Sequence, residues 1–153
     1  MRVIKSFEEF IKEGIVNKAS PDKQRAENLF FESGRKFGLL RKTIEKMGID
    51  DVNSNDYVEY CYNILMFLIR AKMLEQGYTS SGQGAHEAEV AFAKNIGFSE
   101  SDVQLLDQLR YFRNGILYYG KRLDKEYAEK VIEFTKKMYF RLNEMIKTGK
   151  KSN

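Results

Sequence analysis

Apolar residues recur along this chain at intervals of three and four, the spacing that lines one face of an α-helix, and no segment alternates with strand period over a useful length. Ser6 and Glu9 have the spacing of a capping box, opening a short helix with Phe7, Phe10, Ile11 and Ile15 on one side. Ser20-Pro21 reads as a cap followed by proline at the first helical position, and the helix it starts stops at Gly48. Within it, Gly34 and Gly38 lie four apart, which predicts that another helix crosses close by. After a polar loop over 48–55, Asp56 is placed to cap a helix running to about Gln76, apolar almost all round from Tyr60 to Ile69. Residues 77–85 read as the clearest loop. A helix follows from about His86 to Ile96, then one from Ser99 to Gly120. The last is capped by Asp124 and carries Ala128, Val131, Ile132, Thr135, Met138, Tyr139, Leu142, Met145 and Ile146 at helical spacing. The pattern predicts an all-α fold, an up-and-down bundle of four to five helices plus a short N-terminal helix. Residues 147–153 read as a frayed basic tail.

Composition agrees and narrows the class. At 153 residues, with 42% hydrophobic and 31% charged residues and a single proline, the chain reads as one globular domain over 1–153. Cys61 is the only cysteine, so no internal disulfide forms and a reducing compartment is the natural reading. No apolar run reaches the ~20 residues of a membrane span, and the N-terminus lacks a secretory h-region, so the expected location is cytoplasmic. One histidine and one cysteine give none of the common zinc ligand sets. No metal and no cofactor is expected.

Charge is unevenly spread. Residues 51–109 hold nine acids against three bases, whereas 110–153 hold twelve bases against five acids. Basic charge therefore begins with the segment Leu109-Arg110-Tyr111-Phe112-Arg113-Asn114, as expected of a surface that meets phosphate. At 100° per residue, Leu105, Leu109, Phe112, Ile116 and Tyr119 share one arc, read as core; Arg110, Arg113, Asn114 and Tyr118 share the other. Arginine binds phosphate through a rigid fork of donors, and tyrosine faces stack on bases. The same arginines could instead bridge to acids on neighbouring helices. His86, after the Gly82-Gln83-Gly84 turn, is a candidate general base when neutral, or an anchor for that loop.

Several segments in order resemble the HEPN superfamily (higher eukaryotes and prokaryotes nucleotide-binding domains), in particular its small stand-alone archaeal and bacterial members. They are Glu13-Gly14-Ile15-Val16 with Ser20-Pro21-Asp22; Arg25-Ala26-Glu27; Ile69-Arg70-Ala71-Lys72-Met73-Leu74 with Gly77-Tyr78; His86-Glu87-Ala88; and Leu109-Arg110-Tyr111-Phe112-Arg113-Asn114 with Tyr118-Tyr119-Gly120. The resemblance covers about residues 10–145. It implies a helical bundle that homodimerises through the motif face and binds RNA or nucleotide. It also implies a partner, a minimal nucleotidyltransferase-like antitoxin, for which this chain is the toxin-like counterpart. The family signature is Arg, usually followed by a polar residue, with four to six residues between the Arg and a His. Arg113-Asn114 matches its start, and Tyr118 stands where the shortest spacing requires histidine.

That departure bears on chemistry. Imidazole titrates near ~6.5 and a phenol near ~10, so the tyrosine moves protons poorly at neutral pH. The expectation is binding through Arg110, Arg113, Asn114, Tyr118 and His86, with nuclease activity lost or weak. Any residual catalysis would fall to Arg113, Asn114 and Tyr118. The alternatives are a metal-independent endoribonuclease and a helical protein-interaction module without nucleic acid.

Overall fold

The computed structural model describes residues 3–151, with side chains to 144. Six helices and two short strands follow in order: α1 (Phe7–Lys12), β1 (Val16–Lys18), α2 (Lys23–Met47), α3 (Ser54–Glu75), β2 (Tyr78–Ser80), α4 (Ala85–Asn95), α5 (Glu100–Tyr119) and α6 (Lys125–Lys151). The all-α bundle is as the periodicity predicts. Helix α3 sits at its centre, packed against α2, α4, α5 and α6. Its apolar run explains this: Val58, Cys61, Ile64, Leu65, Leu68 and Ile69 are all 1% exposed or less, and from Tyr60 to Arg70 only the strip through Tyr60, Asn63, Phe67 and Arg70 is half-buried.

The expected core of α6 is buried from Ala128 to Leu142, with Tyr139 half-buried. Met145 and Ile146 lie outside the described side chains. The backbone helix continues to Lys151 rather than fraying from 147. Gly34 meets the predicted crossing helix, since a Cβ there would lie 3.1 Å from the Tyr139 hydroxyl of α6; Gly38 has open space instead.

Two caps move. The α2 cap is Asp22, which accepts from the Arg25 N–H, because Ser20 and Pro21 belong to a connection held by Ala19 N–H to Gly77 and Asp22 N–H to Leu74. Helix α3 begins at Ser54, before Asp56, because Asp50 and Asn53 close the preceding turn by exchanging side-chain-to-backbone hydrogen bonds. The capping box of α5 forms as predicted between Ser99 and Asp102.

The strands were not legible from period. They pair antiparallel, Val16 with Ser80, Asn17 with Thr79 and Lys18 with Tyr78. Three residues are too few to show an alternation. Gly77 permits the close approach: its φ is +85°, and a Cβ would fall 2.4 Å from the Ala19 carbonyl oxygen. This ribbon ties the entry to α2 onto the exit from α3 and so fixes where the turn into α4 lies.

At the other end, Asn55 clasps the α5–α6 connection. Its Nδ2 donates to the Lys121 carbonyl at 2.7 Å and its Oδ1 accepts from the Leu123 N–H at 2.8 Å. Arg122 donates to the carbonyls of Asp51 and Val52, so this base of the basic C-terminal segment holds backbone.

Candidate functional site

Three elements meet around a cavity of about 220 Å³. Helix α3 contributes Tyr62. The turn set by the β1–β2 ribbon contributes Gly82, Gln83 and Gly84, with Ala85, His86 and Glu87 from the start of α4. Helix α5 contributes Arg110, Arg113 and Asn114. Four of the five residues that the sequence singled out are therefore brought together. Tyr118 is not. It lies about 6 Å beyond Asn114 along the axis, at 1.5 Å per residue, does not line the cavity, and is 75% exposed.

The arc read as core is rotated. Val103, Leu106 and Leu109 are buried, Leu105 is half-buried and Tyr119 is 87% exposed. Asp107 is itself buried on α5, and it draws Arg110 toward the interior. The Arg110 side chain is only 11% exposed; Nε donates to Asp107 Oδ1 at 3.0 Å, and Nη1 lies 3.9 Å from Glu87. Its Nη2 is covered and finds no acceptor among the described residues. The expectation of two outward guanidiniums is corrected: Arg110 is an internal brace between α4 and α5.

Arg113 behaves differently. It is half-buried, makes no ion pair among the described residues, and lies over the Tyr62 ring at 5.5 Å from the centroid, within cation–π range. Burial pushes the Tyr62 phenol up to about 12; the Glu89 charge adds to this, and Arg113, Arg110 and Arg70 oppose it. The phenol is therefore a neutral platform that steadies the guanidinium while leaving its donors available.

His86 is held from below. Its Nδ1 lies 2.9 Å from Glu89 Oε1, one turn on. That carboxylate, 3% exposed, also accepts from Arg70 through Nε at 2.5 Å and Nη2 at 3.2 Å. Burial works against the Arg70 charge, yet the hydrogen bond and charge of Glu89 outweigh it and hold the guanidinium more firmly protonated than usual. Tyr62, Glu89 and Arg70 were not picked out from sequence. The i, i+3 spacing of His86 and Glu89 was a usable signal; nothing local links Glu89 to Arg70, 19 residues away.

The start of α4 adds a further donor. Gly84, at φ +91°, occupies the cap position and offers no side chain to it. Ala85 N–H bonds to Gly82, whereas the His86 N–H finds no acceptor among the described residues. Helix starts with such open groups favour anions. Against this, Glu87 lines the same cavity and offsets one guanidinium.

A larger groove of about 1430 Å³ lies between the N-terminal segment, α4 and α5, and is lined by none of the five candidate site residues. Among the described residues, no group of His, Cys, Asp and Glu is placed to hold a metal ion, and no helix is long and apolar enough to cross a membrane. Comparison with protein-family models, with curated proteins and with solved structures found no match.

Proposed function

We propose that this chain is a HEPN-like RNA- or nucleotide-binding protein that grips phosphate through Arg113. The observation that carries the reading is a half-buried guanidinium without a carboxylate partner among the described residues, set in a concave site beside Asn114 and an open helix start. A charge in that position favours an external anion, and arginine suits a phosphate's geometry. Arg110 serves the site by bracing α4 against α5.

The reading includes a homodimer, with a minimal nucleotidyltransferase-like antitoxin as partner. The second half of α5 supports an interface, since Tyr111, Leu117, Tyr118 and Tyr119 are all more than half exposed. Salt dependence tests the phosphate contact. RNA affinity measured by filter binding at ~50 and ~200 mM salt should fall steeply, and the slope should shrink by about one unit in Arg113→Ala. Salt-independent binding, or an unchanged slope in the variant, counts against it.

One observation favours the endoribonuclease reading: His86 lines the same cavity as Arg113 and Asn114, with its Nδ1 oriented by a carboxylate. Metal-independent RNA cleavage that disappears in both His86→Ala and Arg113→Ala would establish it over simple binding.

A further inference from the structure

We infer that His86, held by Glu89, is a ribose-reading residue: it accepts a hydrogen bond from a 2′-hydroxyl and makes the site prefer RNA to DNA. The inference rests on the phosphate reading of Arg113 and adds a specificity that a phosphate grip alone lacks, since phosphate contacts carry no such information.

Imidazole is ambiguous until one nitrogen is committed, because the partner of one nitrogen decides which carries the proton. Here the commitment is built in. Glu89 is almost completely buried and fixed by two hydrogen bonds from Arg70, one to each carboxylate oxygen. An ionised carboxylate can only accept, so Nδ1, 2.9 Å from it, is the nitrogen placed to carry the proton. A neutral ring with its proton on Nδ1 keeps its lone pair on Nε2, the nitrogen that does not face the buried carboxylate. The side chain as a whole is 64% accessible and lines the cavity.

The neighbouring chemistry makes this acceptor selective. Arg113 can only donate and suits the phosphate. The 2′-hydroxyl is vicinal to the 3′-phosphate on the same ribose, so a donor for the phosphate beside an acceptor for the hydroxyl matches an RNA unit. The 2′-hydroxyl is what distinguishes RNA from DNA at a given site. In DNA the acceptor meets no donor.

The test uses the full chain, a fluorescein-labelled 12-nucleotide oligoadenylate and its deoxy counterpart, with anisotropy read at pH 8. The wild type should bind the ribo form about fivefold more tightly, the scale of one neutral hydrogen bond. His86→Ala should bring the two affinities together by weakening RNA alone. Arg113→Ala should weaken both. The chain has a single histidine, so its imidazole ¹⁵N spectrum reads the tautomer directly: one Nδ1–H form in the wild type and a mixture in Glu89→Gln. Equal binding of the two oligomers by the wild type, a ribo preference that survives His86→Ala, or an Nε2–H ring overturns the inference while leaving the phosphate site standing. Binding of neither oligomer removes the phosphate reading and this inference together.

Discussion

Arg70 and Glu89, on α3 and α4, form a two-pronged ion pair in which the carboxylate is buried and the guanidinium reaches partly to solvent. Removing one partner of a buried pair leaves the other uncompensated and typically costs about 3–5 kcal/mol. Because Arg70 keeps some access to water, Glu89→Ala should fall near the lower limit, about 3 kcal/mol. Urea unfolding at neutral pH measures it. The exposed pair Lys94–Glu100 supplies the contrast: Glu100→Ala should change stability by less than about 0.5 kcal/mol.

The two glycines of α2 should respond in different ways to alanine. Gly38 has open space where a Cβ would stand, so Gly38→Ala should gain about 1 kcal/mol from helix propensity and raise Tm by about 2–4 °C. Gly34 faces the Tyr139 hydroxyl at 3.1 Å, and Tyr139 is stacked on Phe37 with centroids 4.1 Å apart, so it yields little. Gly34→Ala should gain less than Gly38→Ala or lose stability. Paired thermal melts decide it.

Alkaline pH should unfold the protein through one buried and one half-buried phenol. Burial pushes Tyr62 and Tyr127 up to about 12, above the ~10 of an unfolded chain. A raised value means the folded state retains the proton longer. The stability these groups contribute is complete below pH ~10 and is lost as pH rises toward ~12. Denaturant midpoints should fall across that window, and part of the phenolate absorbance should appear only as helicity disappears. Full phenolate absorbance at pH ~11 with native circular dichroism would contradict this.

Cys61 should be inert in the native protein. It is buried on α3, and burial pushes its thiol up to about 12, so at pH 8 only about one molecule in 10⁴ carries the reactive thiolate. Iodoacetamide should label it negligibly in native buffer and fully in guanidinium. Rapid native labelling would mean that α3 opens.

The helices were legible because each buries a repeating apolar face, and Ser99–Asp102 and Gly120 mark the limits of α5 by chemistry that local sequence carries. The β1–β2 ribbon was not, since its three-residue strands are specified by the long-range approach of Gly77 to Ala19. The site was half legible. Angular position put Arg113 and Asn114 on one side of α5 and the Gly82–Gly84 turn marked the loop, but which arginine faces inward depends on the buried Asp107 one turn before Arg110. Tyr62 was hidden within an apolar helix, where it reads as core; it is core, and its ring also supports Arg113.

The central claim is that Arg113 grips phosphate, and the most direct measurement is titration of a single-stranded RNA oligomer into wild type and Arg113→Ala at ~50 mM salt. Circular dichroism verifies that the variant is folded. The account predicts saturable binding to the wild type and a loss of at least about tenfold in the variant, the scale of a charge-assisted contact of 1.5–3 kcal/mol. Equal binding by both proteins, with the fold intact, would contradict it.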